Sequence, residues 1–297
     1  MQRETTESPV SFEQVMASVG QWMVAAEALA AVGAELSLSP SGADVSPEVR
    51  SALRAVSSAA GLENLDRLPP QQREMAVGLI RLTLHHAVEL VDRPARAPGW
   101  SYTEPAILEG WGRGSMIVPG AIKATAPELA DVRSFLDVGT GIGLLAVAAA
   151  RVWPNASVVG IDIWSPSLEL AHKTVREAGL EHRITIRDQD AAALDDVDAY
   201  DCAWVPTFFF QRPLLETVIQ RVFRALQPGG WMVLGRFVAP PNPLAAATSY
   251  LRLVRGGGAD YDVPELSEAL RQVGCVGVRV LPRQGPAPLE YIIAQRP

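Results

Sequence analysis

The 297-residue sequence predicts an α/β fold in its C-terminal part, preceded by a helical region. Three observations carry that prediction. The stretch Phe135-Leu-Asp-Val-Gly-Thr-Gly-Ile-Gly143 begins as an apolar strand and breaks into glycines at every second position, and the Ala- and Leu-rich run Leu144 to Ala150 then reads as a helix. Downstream of it, strand-like and helix-like segments alternate, which implies a parallel sheet with helices on both faces. Upstream, residues 1–132 carry helical patterns, so the chain divides into a helical cap (1–132) and a sheet domain (133–297).

In the cap, Met16, Val19, Met23, Ala26 and Leu29 recur at three- and four-residue steps, predicting a helix from Ser11 to Leu36 that Ser39 to Ala43 breaks with Pro40 and Gly42. Ser46-Pro47 is a helix start, a capping hydroxyl followed by proline in the first turn. Pro69-Pro70 opens a longer helix that Pro94 stops. There His86 shares a face with Leu79, Leu82 and Leu90, whereas His85 lies with Arg81 and Glu89. Next come a loop, Pro94 to Tyr102, and the glycine-dense Glu109-Gly-Trp-Gly-Arg-Gly-Ser115, which reads either as a turn or as a segment folding over a ligand.

In the sheet domain, helices are predicted at Pro166–Ala178, Pro213–Leu226, roughly Pro243–Val254, and Val263–Val273. The final strands, Val276–Leu281 and Leu289–Gln295, are separated only by Pro282 to Pro288. A connection that short cannot join parallel strands, so the last strand is antiparallel.

The net charge of −7 is uneven: residues 1–132 hold 16 acids against 10 Arg or Lys, and the rest 17 against 16. With no basic stripe, a nucleic-acid partner is disfavoured. No apolar run approaches the ~20 residues that span a bilayer, and the polar N-terminus lacks a signal-peptide core, so a cytoplasmic protein without membrane partners is expected. Cys202 and Cys275 lack metal-ligand spacing and read as reduced core residues.

The chemistry gathers at the strand tips. Bare backbone at Gly139, Gly141 and Gly143 admits a ligand, and the helix that follows offers unpaired N–H groups. Asp137 would repel a pyrophosphate and attract an ammonium. Asp162, nineteen residues past Gly143 and closing Val158-Val-Gly-Ile-Asp162, is placed to accept from ribose hydroxyls. Asp190, at the end of Ile184-Thr-Ile-Arg-Asp-Gln-Asp190, can accept from an adenine amino group. Ribose, adenine and an amino-acid tail together describe S-adenosylmethionine (SAM).

On these motifs, with Asp190-Ala191, Tyr200-Asp-Cys-Ala-Trp-Val-Pro206 and the Pro-Gly-Gly turn of Leu226 to Trp231, the segment from about Ser134 to Pro297 resembles the class I SAM-dependent methyltransferases. The cap in front of it resembles those of bacterial natural-product methyltransferases. The resemblance implies a Rossmann-like sheet of seven strands, the last antiparallel. It implies SAM as cofactor, S-adenosylhomocysteine as product and no metal. The cofactor contacts it implies are Arg113, Ser115, Asp137, Gly139, Thr140, Gly141, Gly143, Asp162, Ile163, Asp190, Ala191 and Trp204. For the acceptor it implies Trp111, Pro206, Thr207, Phe208 and Phe209.

Methyl transfer is an in-line displacement for which alignment suffices when the acceptor is a good nucleophile. The strand-4 tip, Trp204-Val-Pro-Thr-Phe-Phe-Phe210, holds no His, Asp, Glu or Lys. This suits an amine nitrogen or an electron-rich carbon such as indole C3. An O-methyltransferase would need a base from the cap, for which His86 and Tyr102 are the candidates; a histidine on an apolar face is more often a core residue. A SAM-binding cyclase and a regulatory SAM-binding protein fit the same motifs. A small-molecule substrate is expected, and a homodimer is the other partner considered.

Overall fold

The computed structural model describes residues 10–41, 45–283 and 288–297. It divides into two compact units, 1–90 and 91–297. Residues 91–132, assigned to the cap from sequence, thus belong with the second unit.

The first unit is helical. Helix α1 (Phe12–Ser41) runs through Pro40, beyond the break expected from sequence; Gly42 and Ala43 lie outside the described residues. Helix α2 (Pro47–Ala59) starts as predicted, the Ser46 hydroxyl accepting from the Val49 N–H at 3.3 Å. In α3 (Pro70–Asp92), Leu82 and His86 are buried, but Leu79, expected on their face, is half exposed. Val32, Leu36 and Leu65 form a small core with Leu68, Ala76, Val77 and Ile80. Gly33 lets α1 approach Ile80, where a Cβ would stand 3.0 Å from Cγ2.

The rest of α1 is open. Phe12, Trp22, Met23 and Val24 are all more than half exposed. The span Phe12–Leu38 has a mean hydropathy of 1.5 and is long and apolar enough to cross a membrane by length and composition. The sequence has no unbroken apolar run of that length, because Gly, Ser, Gln and Glu are interspersed; the span qualifies by its averaged composition.

The second unit opens with α4 (Pro105–Ser115) and α5 (Val118–Thr125) and then builds the predicted sheet. Strands β1 (Ser134–Val138), β2 (Ser157–Asp162), β3 (Ile184–Asp188), β4 (Tyr200–Pro206), β5 (Leu226–Phe237), β6 (Val276–Val280) and β7 (Leu289–Gln295) stand in the order 3-2-1-4-5-7-6. β7 runs antiparallel to both neighbours, β5 and β6. Of the link between β6 and β7, residues 284–287 lie outside the described residues. Between the strands come α6 (Leu144–Val152), α7 (Ser165–Glu177), α8 (Arg212–Ala225), α9 (Pro243–Arg255) and α10 (Val263–Gln272), each within a residue or two of its predicted bounds.

Strand alternation sends successive residues to opposite faces. Phe135, Cys202, Val233 and Ile293 join α5, α6 and α7 on one side. Leu136, Ala203, Leu234 and Ile292 join α8 and α10 on the other. The sheet is therefore a filled sandwich, and only the strand tips are left for chemistry. Strand order reverses between β1 and β4, and at such a point in an open α/β sheet the tips form a ligand crevice.

Candidate active site

The glycine turn is built as its sequence requires. Gly139, Gly141 and Gly143 have φ of 67°, 55° and 78°, a left-handed region costly for any residue with a side chain. Gly160 in β2 leaves room for the Thr140 side chain, whose hydroxyl donates to Asp137 Oδ2 at 2.7 Å. Gly143 caps α6 and lies against Ala171 of α7, 3.3 Å from where its Cβ would be.

Asp137 sits under this turn and is only 1% exposed. Burial pushes its carboxyl up to about 7, against the opposing hydrogen bond from Thr140; the neighbouring charge of Asp162 raises it further. The group predicted to attract an ammonium thus lies below the turn in the ligand-free protein.

Asp162 closes β2 and is held by three backbone donors. Gly141 N–H reaches Oδ2 at 2.8 Å, while Ile163 and Trp164 N–H reach Oδ1 at 2.8 and 2.9 Å. Burial raises its pKa and these amides counteract the rise. A carboxylate offers about four acceptor positions, so three are filled and Oδ2 retains room for a hydroxyl. Ile163 is 65% exposed beside it. Asp190 lies just past β3, which ends at Asp188; it caps the short 3-10 turn Ala191–Ala193, its Oδ1 accepting from Ala192 N–H at 2.8 Å, and Ala191 is buried.

The glycine-dense segment is a helix. In α4, a Cβ on Gly112 would stand 2.7 Å from Ile142 Cγ1, so the missing side chain lets α4 lie directly on the glycine turn. Trp111 and Arg113 flank this contact on α4. Arg113 pairs with Glu109 at 3.5 Å, and the Ser115 hydroxyl donates to the Gly112 carbonyl at 2.7 Å.

Two side chains expected at the site from β4 are turned inward. The Trp204 ring is buried in the core against Gly235 and Tyr291. Thr207 is fully buried and donates to the Gly235 carbonyl at 2.8 Å, so it ties β4 to β5 and does not meet an acceptor. For Trp204 this follows from strand alternation, which sends it to the face of Cys202; Thr207 opens the 3-10 turn just past the strand. Pro206 does reach the turn, 3.6 Å from where a Gly139 Cβ would be. Phe208 and Phe209 are half-buried, whereas Phe210 packs on the core.

The Tyr102 ring is buried against Trp100, and its carbonyl accepts the Trp164 indole N–H at 2.6 Å. His86 is buried within the first unit. Trp100 and Trp164 had no signal in the sequence: neither falls in a periodic pattern or a motif, and only the folded chain brings them to the strand tips.

A Rossmann-like sheet with an antiparallel β7, a glycine turn at the switch point and an acid closing β2 are features of the class I SAM-dependent methyltransferase fold. Comparison with known proteins gives the same answer. Residues 135–230 match the family model described as a methyltransferase domain. Over 111 residues the chain is 34% identical to demethylmenaquinone methyltransferase of Thermus thermophilus, covering 37% of this chain and 50% of that protein. Over 143 residues it is 32% identical to 27-O-demethylrifamycin SV methyltransferase of Amycolatopsis mediterranei, covering 47% and 52%. The chain thus spans about half the length of these curated relatives. Among solved structures, human N-acetylserotonin methyltransferase in complex with SAM superposes with a TM-score of 0.69 at 13% identity, over 98% of this chain and 99% of that one. The mitomycin 7-O-methyltransferase superposes with a TM-score of 0.66 at 19% identity, over 96% and 98%. At these identities the superpositions speak for the fold.

Proposed function

We propose that the protein transfers a methyl group from SAM to a small aromatic or heteroaromatic molecule of secondary metabolism. The observation that carries the cofactor half is Asp162, fixed by three amides beside three left-handed glycines. SAM fits these residues: the turn leaves backbone bare where a side chain would block a ligand, and the acid stands ready for a ribose hydroxyl. When bound, SAM supplies an activated methyl; the chain's part is to hold the acceptor in line and keep water out. The acceptor half is supported by the half-buried aromatics at the β4 tip and by the small-molecule substrates in the names of the mitomycin and rifamycin enzymes.

For the acceptor atom, nitrogen or an electron-rich carbon such as indole C3 is favoured, because the β4 tip holds no base. O-methylation is the second reading, favoured by the O-methyltransferase names of several relatives, and it would draw on Tyr102 or His86. A cytoplasmic location belongs to the same proposal. It is supported by Glu13, Glu27 and Glu35 within α1, which a bilayer core would strand.

Calorimetry with S-adenosylhomocysteine and turnover of methyl-labelled SAM with indoles, phenols and amines test the proposal. Asp162→Ala is expected to weaken S-adenosylhomocysteine binding by about a hundredfold through the lost ribose acceptor and three stranded amides. Binding of NAD with no response to SAM would overturn it. On the nitrogen or carbon reading, His86→Gln changes turnover only a fewfold; a loss of about a hundredfold or more selects the base-dependent one.

A further inference from the structure

Three aromatic rings from distant parts of the second unit meet beside the glycine turn. Trp100 lies on the segment before α4, Trp111 on α4 and Phe209 just past β4. Their centroids form a triangle, Trp100 to Phe209 5.4 Å, Trp100 to Trp111 5.8 Å and Trp111 to Phe209 6.3 Å, with every pair edge to face. All three are half-buried and none belongs to the core layers on either side of the sheet. Trp111 adjoins Gly112, which rests on Ile142 of the turn, and Phe209 follows Pro206, which rests on Gly139. The triangle therefore flanks the residues that rest on the turn, and each of its rings keeps part of its surface exposed.

Trp100 is the member whose position is set from outside the sheet. The strap that bears it, residues 93–102, is bound to the end of α9. The Gly99 N–H donates to the Arg255 carbonyl at 3.0 Å, and the Arg255 guanidinium donates to the Arg93 and Pro94 carbonyls at 3.2 and 3.3 Å. Arg96 donates to the Gly99 and Arg255 carbonyls at 2.8 and 3.2 Å. Gly257, with φ of 85°, lies against Gly99, where a Cβ would stand 3.0 Å from Cα. Gly258 packs on the Phe208 carbonyl so closely that no side chain fits. At its other end the strap is fixed by the Trp164 indole on the Tyr102 carbonyl. One four-residue segment, Arg255 to Gly258, thus holds both the strap and the chain beside Phe209. A tryptophan with many rotamers open to it is locked at one edge of the triangle.

We propose that Trp100 is the specificity-determining residue for the methyl acceptor, its indole forming with Trp111 and Phe209 a wall that takes the flat face of an aromatic ring, and that Arg255 positions it. The inference rests on the methyltransferase reading and adds to it the residue that selects planar acceptors over saturated ones of equal size. Stacking and edge-to-face contacts with such rings distinguish a π-surface from a puckered one.

The test uses the full-length protein and two neutral alcohols of one carbon skeleton, 2-naphthol and decahydro-2-naphthol, titrated by calorimetry with and without S-adenosylhomocysteine. The flat compound is expected to bind at least tenfold more tightly. Trp100→Leu should abolish that preference while leaving S-adenosylhomocysteine affinity unchanged, and Trp100→Phe should keep the preference within about threefold. Arg255→Gln should reduce the preference, and adding it to Trp100→Leu should change nothing further. Equal binding of the two alcohols, or an unaltered preference in Trp100→Leu, overturns the wall. Additive losses in the double variant overturn the positioning role. Discrimination without any response to S-adenosylhomocysteine would support the wall and refute the cofactor reading.

Discussion

Asp137 carries the largest electrostatic cost in the candidate site, and its effect runs opposite to that of a paired surface acid. Its pKa is raised from 3.8 to about 7 by burial, so between those values the native protein holds a proton that the unfolded chain has released. The associated stability is complete below about pH 4 and is lost as pH rises through 7. Asp137→Asn keeps the shape but cannot ionise. In the ligand-free protein, its thermal midpoint relative to wild type is expected to rise between pH 5 and pH 8. A gap that stays constant or shrinks would remove Asp137 as the titrating group. An ammonium placed over the turn favours the ionised acid, so S-adenosylhomocysteine should raise the wild-type midpoint more than that of the variant at pH 8. At this scale the acid of β2 and the glycines were legible because each has one chemical duty at one spacing. Trp204 and Thr207 were not: their side chains lie on faces that only the neighbouring strand, through Gly235, reveals as closed.

Helix α4 shows how one composition can be read as either turn or helix. Three glycines within eleven residues lower intrinsic helix propensity, yet burial of Ile107 and Leu108 and the fit of Gly112 on Ile142 override it. Gly112→Val should therefore act through the interface, although valine is the better helix former. It is expected to cost about 1–3 kcal/mol, the range for overpacking, and to weaken S-adenosylhomocysteine binding because α4 is pushed off the turn. Gly114→Ala, where nothing stands within 4 Å of the added methyl, is the control and should be neutral or slightly stabilising. Urea denaturation of both variants separates the two effects. Elements with caps or strong period, such as α2 and α7 to α10, were legible almost to the residue. Those set by a close approach were not, since sequence does not say what a glycine will face.

Helix α1 raises the question of what covers its apolar side in the whole molecule. Phe12, Val15, Met16, Trp22, Met23 and Val24 are all exposed along its first half. Its span has glutamates and no Lys or Arg, which disfavours an anionic membrane surface and leaves another apolar protein face as the fitting cover. The homodimer considered from the sequence would supply such a face, as a symmetric pair allows. Light scattering after gel filtration should give twice the mass of the 31.9-kDa chain. Val24→Glu, 68% exposed and so harmless to a monomer, should halve it; a monomeric wild-type protein would refute the pairing. The division of the chain at residue 90 was the least legible feature at this scale, because the helices on both sides of it look alike until their contacts are known.

The place of β7 in the sheet also orders events at the ribosome. Among the described residues β6 pairs with β7 alone, and β7 fills the space beside β5. While residues up to 280 have emerged, β5 has an open side and β6 has nothing to pair with; both are completed only when the chain has been made through Gln295. At about 5–20 residues per second, the stretch from Val280 to Gln295 takes about one to three seconds to be made, and for that time β5 keeps an unpaired edge of the kind that templates association. Translation pauses within that stretch would lengthen the exposure, and a chaperone bound during it would act on this edge.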